Sequence, residues 1–416
     1  MWTRKSTRTT FAVHACVLLA TCAVARAAPT ADALRRTIDL PLQPGDRIAP
    51  TYVVDLDEPP DARWAEIAKE YSAAMKPAIE YLRTNAGKGS LLYGLVTDLI
   101  AAVTAPGGSW NAERTAEMQG FADSAGYELF DIQAANLFYE YEPGHFLRSA
   151  GATTAEAAAL TNGWKWCTSI VAQHANGSIF HARNQDYSLP GLTNITITVV
   201  FRKGGEDLWV GTTFSGYLGA PTGLRYAAGG VGGWSVNADS RFTVSGLDPA
   251  EGVAAAKKGG KAVGFMIRDA MESCATFDEA VAWFNTTETI GPSYYTMAGV
   301  NPSEGAVVSR KRDGPDNSHK SKAAPQGEGI WSLNDGTEAP AQWFRVETNF
   351  DHWSPITDGR RAPANAHMKA LGDTGVTLDK MFDLLSIKPV LAPDTVYTTV
   401  MWPAQSLFQS IIRPGY

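Results

Sequence analysis

Cysteine is scarce in this chain: four residues in 416, at positions 16, 22, 167 and 274. That number is too small for a disulfide-stapled scaffold, so stability must come from a buried core. Long basic runs are also missing. A net charge of −7 argues against a partner that presents a phosphate backbone, and nucleic acid is excluded on that ground. No segment has eighteen uninterrupted apolar residues, so no membrane-spanning helix is expected. The seven histidines form no HExxH pattern and the cysteines form no metal-binding pairs, so no metal is expected. Cofactor signatures fail too. The glycines of "AAGGVGGWS" (227 to 235) lack the dinucleotide spacing, and "KKGGK" (257 to 261) has no Ser or Thr after its lysine. What remains is a globular protein, 44% hydrophobic and 19% charged, with enough chain for a sizeable core.

The N-terminus reads as an address. Arg4, Lys5 and Arg8 precede an apolar stretch from Phe11 to Val24, and Ala25-Arg26-Ala27 gives a small-x-small cleavage pattern. Residues 1–27 are expected to be a signal peptide on a secretory route, lysosomal or extracellular, or periplasmic in a bacterium. Asn176, Asn194 and Asn285 begin N-x-S/T sequons that suit a glycoprotein of that route. Loss of the leader removes Cys16 and Cys22. Cys167 and Cys274 then either form one disulfide or leave a reactive thiol. Cys274 lies in a helical pattern, "FMIRDAMESCATFDEAVAWF", where a buried small hydrophobe is expected.

Cys167 opens a hairpin. "TSIVAQ" is rich in β-branched residues, "HANG" supplies a turn, and "SIFHARNQDY" again has strand character. With Asn176 and Gly177 as the two central turn residues, Cys167 falls opposite Asp186. Arg183 and Asp186 are three apart and lie on opposite faces of a regular strand, so they share a site only where the strand ends or bulges near Asn184. A cysteine at a strand start suits an N-terminal nucleophile. Breaking the Trp166–Cys167 peptide bond would free an α-amine, which titrates at about 7.7 to 8.0 and can take the thiol proton. Spacing alone favours the other reading, a buried strand cysteine beside a surface Arg–Asp pair.

The run "CTSIVAQHANGSIFHARNQDY" resembles the hairpin that opens the catalytic subunit of the N-acylethanolamine acid amidase and acid ceramidase family. The resemblance continues in order through "YVVDLDEPPDARW" (52 to 64), "LFDIQAANLFYEYE" (129 to 142), "GTTFSGYLGAPTG" (211 to 223), "RKRDGP" (310 to 315), "WFRVETNFDHW" (343 to 353) and "TVYTTVM" (395 to 401). It implies an α+β fold, the Ntn-hydrolase αββα four-layer sandwich, made from a precursor that cuts itself into two subunits without a cofactor. The implied division is a signal at 1–27, a mostly helical α-subunit at 28–166 and a catalytic β-subunit at 167–416. Carried over by motif, Cys167 is the nucleophile, Trp166 and Cys167 flank the cut, and Arg183 and Asp186 stand beside it. Asn349 is the oxyanion donor, and Arg360 matches a family arginine.

Two departures stand out: Asp239-Ser240-Arg241 has serine where the family commonly has glutamate, and residues 142–166 are an insertion. The implied substrate is a fatty-acyl amide lipid, with N-acylethanolamine ahead of ceramide, and a catalytically silent lipid binder is the reading from another class. The segment "SLLYGLVTDLIAAVTA" (90 to 105) reads equally as a core helix or as a peripheral membrane contact. His352 is the partner that a papain-like Cys/His pair would need.

Overall fold

The computed structural model describes residues 37–90, 92–141, 167–227, 232–241, 249–316, 329–334, 342–353 and 359–414; the leader, Trp166 and the insertion 142–166 lie outside them. Two short strands come first, β1 (Arg47–Ile48) and β2 (Thr51–Asp55). Helices α1 (Ala65–Ala86), α2 (Tyr93–Thr104), α3 (Ala112–Ala125) and α4 (Leu129–Asn136) follow, and a single helical turn at Phe138–Tyr141 comes after them. In α1, the residues Met75, Ala78, Ile79, Leu82 and Ala86 recur at helical spacing and are all buried, which pins that face to the core. The start of α3 is capped by Asn111, whose side chain accepts the Arg114 N–H, and its end by Gly126 at φ 75°, a left-handed position that glycine adopts without strain.

After residue 167 come β3 (Thr168–Gln173), β4 (Ile179–Asp186), β5 (Thr196–Lys203), β6 (Glu206–Phe214), β7 (Thr222–Arg225) and β8 (Trp234–Ser240). Helices α5 (Pro249–Lys257), α6 (Val263–Ser273) and α7 (Phe277–Thr286) precede β9 (Ser293–Ala298), β10 (Gly305–Arg310), β11 (Ile330–Ser332) and β12 (Phe344–Glu347). The chain closes with α8 (Arg361–Leu371), α9 (Leu378–Leu385), β13 (Thr395–Trp402) and β14 (Leu407–Ile412).

These strands build two sheets, ordered β1-β14-β13-β4-β3-β12 and β11-β10-β9-β8-β7-β6-β5-β2. They face each other through β3 and β4 against β8, β9 and β10, while α8 and α9 cover the first sheet and α6 and α7 the second. The result is the expected four-layer αββα sandwich. The N-terminal segment is woven into it: β1 pairs antiparallel with β14 at one sheet's edge, and β2 pairs parallel with β5 at the other's. Besides its helices, that segment therefore supplies an edge strand to each sheet.

Two expectations resolve on packing. Helix α2 buries Val96, Leu99, Ala102 and Val103 and turns Thr97, Asp98 and Thr104 outward, so its apolar stripe is core and not a surface for lipid. No helix among the described residues is long and apolar enough to cross a membrane. Cys167 and Cys274 are both free and buried, so the single-disulfide alternative is not formed.

Candidate active site

Strict alternation along the inner strands sorts the chemistry. On β4, Phe180 and Ala182 join the apolar layer under α8 and α9, and Asn184 donates to the Leu385 and Val390 carbonyls there. His181, Arg183 and Gln185 therefore face the opposite sheet. On β8, Trp234, Val236 and Ala238 pack toward the helices while Ser235, Asn237 and Asp239 point inward. The space between the sheets thus holds a polar stripe that ends at Cys167.

The hairpin register differs by one residue from the expectation. Thr168 pairs with Asn184 and Gln173 with Ile179, so Cys167 falls level with Gln185 rather than Asp186. His174 and Ser178 close a three-residue loop with Gly177 at φ 90°, a glycine-bulge turn instead of the two-residue type. The irregularity expected near Asn184 sits across the ladder, in β13 between Thr395 and Tyr397, opposite Gln185 and Asp186. Arg183 and Asp186 do lie on opposite faces. They reach the same cysteine because β4 ends at Asp186.

Around Cys167 the contacts are specific. Its thiol is buried, and that burial pushes its pKa up to about 12 against the pull of Arg183; the Asp186 backbone N–H donates to the sulfur. Arg183 is held by the Thr222 hydroxyl at 2.9 Å, the Pro221 and Ala238 carbonyls at 3.3 Å each, and Asp239 at 3.4 Å. Its guanidinium also lies 5.7 Å from the centre of the Tyr397 ring. Behind Asp239 runs a relay. Asn237 donates to Asp239 Oδ1 at 3.0 Å and to the Ser169 hydroxyl at 2.7 Å, which leaves its Oδ1 to accept from His181 Nε2 at 2.7 Å. His181 Nδ1 meets Ser235 at 2.9 Å, and burial lowers the imidazole pKa to about 3, so the ring is neutral.

Arg360 ties the other side together. It donates to the Cys167 carbonyl at 2.9 Å, the Thr168 hydroxyl at 3.2 Å, Asp186 Oδ2 at 3.2 Å and Asn349 Oδ1 at 3.0 Å. Asp186 Oδ1 accepts from Thr395 at 2.6 Å; burial raises this carboxyl to about 7 while Arg360 holds it down. Asn349 gives one Nδ2 hydrogen to the Ser240 carbonyl at 2.8 Å, so the position where serine replaces glutamate contributes its backbone oxygen. Cys167, Arg183, Asp186, Asn349 and Arg360 therefore form one buried cluster. His352 instead stacks on Trp331 at 3.8 Å.

Next to this cluster opens an apolar pocket lined by Met75, Ile79, Leu82, Phe138, Tyr187 and Leu192 among others. Tyr139, also on its wall, donates to Gln185 at 3.2 Å and feels the charge of Cys167 and Arg183. Asp239, Asn237, Ser169 and Tyr139 had no assigned role in the sequence reading. The alternation in "WSVNADS" carried a signal for the first two; nothing local marked the others.

A buried cysteine at the head of an inner strand, in an αββα sandwich, defines the Ntn-hydrolase fold. A family model described as the beta subunit of N-acylethanolamine-hydrolyzing acid amidase matches residues 37–104. Its "beta" name thus falls on the N-terminal segment, which the sequence reading labelled α. N-acylethanolamine-hydrolyzing acid amidase of Mus musculus is 31% identical over 368 residues, 86% of each chain. Acid ceramidase of Macaca fascicularis is 28% identical over 96% of each chain. A solved Caenorhabditis elegans N-acylethanolamine-hydrolyzing acid amidase ortholog is 37% identical, covering 57% of this chain and 93% of its own, with a TM-score of 0.49. The chain belongs to the N-acylethanolamine-hydrolyzing acid amidase family.

Proposed function

We propose that this protein hydrolyses the amide bond of N-acylethanolamines, releasing a fatty acid and ethanolamine, after cutting itself before Cys167. The observation that carries the substrate class is the apolar cavity beside the buried thiol, with Tyr139 common to both. An acyl tail laid there gains roughly 0.8 kcal/mol per methylene. In the uncut chain the thiol is neutral and dormant. Cleavage creates an α-amine on Cys167 that takes the thiol proton during attack on the acyl carbon. The C–S bond forms, the amine leaves, and water resolves the thioester. The second Nδ2 hydrogen of Asn349 is available to the developing oxyanion, and Arg360 fixes the amide by gripping its oxygen. Arg183 favours the thiolate and Asp186 orients the new N-terminus. The leader pattern at 1–27 supports delivery to a secretory or periplasmic compartment.

Ceramide hydrolysis is the second reading, favoured by the ceramidase likeness along 96% of the chain. N-terminal sequencing of purified protein, followed by assays on N-palmitoylethanolamine and on a ceramide of matched acyl length, tests both. A new N-terminus at Cys167 and higher kcat/KM on the ethanolamide are expected. A reversed preference moves the assignment to ceramide. An inactive but cleaved protein points to another amide, and an active uncut chain removes the nucleophile mechanism.

A further inference from the structure

Asn349 and Arg360 stand outside the strand ladders that order the rest of the site. Asn349 comes two residues past the end of β12 and Arg360 just before α8, so no strand pairing fixes the one to the other. Their side chains nonetheless meet at 3.0 Å. A second pair flanks them. Arg361, the first residue of α8, donates from Nη2 both to the Glu347 carboxyl oxygen Oε1 and to the Phe350 carbonyl, the latter at 2.5 Å. Glu347 Oε1 also accepts the Thr348 N–H at 2.9 Å. One guanidinium nitrogen thereby holds the chain on both sides of Asn349, while its own backbone follows directly on Arg360.

Helix and core stability alone would not select this pair. Arg360 and Arg361 put two cations at the start of α8, where a helix dipole favours anions by about 0.3 to 1 kcal/mol each, and no acidic residue in the first turn offsets them. Glu347 is buried, and its Oε2 has no hydrogen bond. Burying an oxygen unpaired costs stability. Burial raises this carboxyl to about 8, with Arg361 pulling it back, so below that pH Glu347 offers Arg361 an oxygen rather than a charge.

We propose that Glu347 and Arg361 are positioning residues: their clasp fixes how Asn349 and Arg360 stand to each other, and so aims the second Nδ2 hydrogen of Asn349 at the oxygen that gains charge. The inference deepens the amide-hydrolysis reading and rests on it. Neither residue of the clasp touches substrate. Asn349 is tied at Nδ2 to the Ser240 carbonyl at 2.8 Å and at Oδ1 to Arg360, so its remaining hydrogen keeps one direction while both ties hold. Without the clasp, the backbone around Asn349 and the head of α8 are free to shift apart. A displacement of roughly 1 Å in such a site costs on the order of a hundredfold in rate.

The test measures kcat and KM on N-palmitoylethanolamine at one acidic pH, where Glu347 is uncharged, with rates referred to cleaved enzyme counted by intact mass. Arg361→Ala should lower kcat at least tenfold and leave KM within about twofold, because binding does not use the clasp. Added guanidinium, at concentrations that leave Tm unchanged, should restore part of that loss, a rescue that a purely structural defect would not show. Glu347→Leu should lose as much as Arg361→Ala, whereas Glu347→Gln, which keeps an acceptor oxygen in place of Oε1, should stay within about threefold of wild type. If Arg361→Ala does not fold, the comparison of Glu347→Gln with Glu347→Leu decides alone. An Arg361→Ala or Glu347→Leu enzyme with kcat within twofold of wild type, or with a loss confined to KM, overturns the positioning role and leaves amide hydrolysis standing. Glu347→Gln as slow as Glu347→Leu overturns it too, since the oxygen is all that the clasp requires. A wild type that hydrolyses neither this amide nor a ceramide overturns the hydrolytic reading and this inference with it.

Discussion

Arg360 grips a backbone carbonyl, a hydroxyl, a carboxylate and an amide oxygen at once. That geometry needs a planar fork, which lysine cannot supply. Arg360→Lys is expected to lower kcat at least tenfold with little change in KM, because Asn349 and Cys167 lose their shared anchor; a fall confined to KM would place the arginine on substrate instead. Asn349→Ala removes one oxyanion donor, commonly worth about 2.7 to 4 kcal/mol. Its rate in folded, cleaved protein should drop on the order of a hundredfold, and an unchanged rate removes Asn349 from the reaction. Motif likeness alone named both residues. It placed Asp239 in the 239–241 triplet but gave it no role, because the contact that brings it to the cluster, Arg183 of β4 at 3.4 Å, comes from the other sheet. Pairings across a sandwich are set by the packing of layers, not by neighbours in sequence.

At the scale of elements, the sequence reading found the β3–β4 hairpin and missed its register by one residue. Residue types alone do not separate a two-residue Asn-Gly turn from a three-residue loop ending in a left-handed glycine, and Gly177 takes the second course. Face assignment survived that slip. Alternation is a property of each strand, so Arg183 and His181 face inward whichever partner they oppose. Helix α2 was undecided from sequence because an apolar stripe looks the same against protein or lipid; burial of Val96, Leu99 and Val103 decides it. Helix α1 gives a test of the cavity, which Ala78 helps to line. Ala78→Phe places a ring in the space proposed for the acyl tail. If it displaces two methylenes, roughly 1.6 kcal/mol is lost, so kcat/KM on N-palmitoylethanolamine should fall about tenfold while N-hexanoylethanolamine is little affected. An equal fall on both substrates would show that the cavity does not hold the tail.

Over the whole molecule, the segment before residue 142 is bound to the rest by buried charge as well as by strands. Glu117 is fully buried and accepts from Arg268 at 2.7 and 2.8 Å, with Arg63 and Arg114 beside it. Removing one member of such a pair strands the other, at a cost of roughly 3 to 5 kcal/mol. The same interior carries carboxyl groups displaced the other way. Burial comes first among the causes in each: it raises Asp239 to about 6, Asp186 to about 7, and Glu347 and Glu140 to about 8. A carboxyl whose pKa is higher folded than unfolded favours the native state fully below its unfolded value, near 4, and loses that contribution as pH climbs through its folded value. The window for these four is therefore about pH 4 to 8. Glu117 and Glu272 act oppositely. Burial would raise them, but Arg268 and Arg114 outweigh it and hold both low, so their stabilisation is lost only in stronger acid. The expected outcome is a protein most stable near pH 5. It is measured best on Cys167→Ala, which stays one chain, by thermal melting from roughly pH 4 to 9. The Tm should decline from about pH 5 and level off near pH 8, and Glu347→Gln, which cannot ionise, should make that decline shallower. A Tm that rises or stays level to pH 8 would mean that these carboxyls are hydrated or paired in the native state, and that the dry interior around Cys167 is wetter than its packing shows.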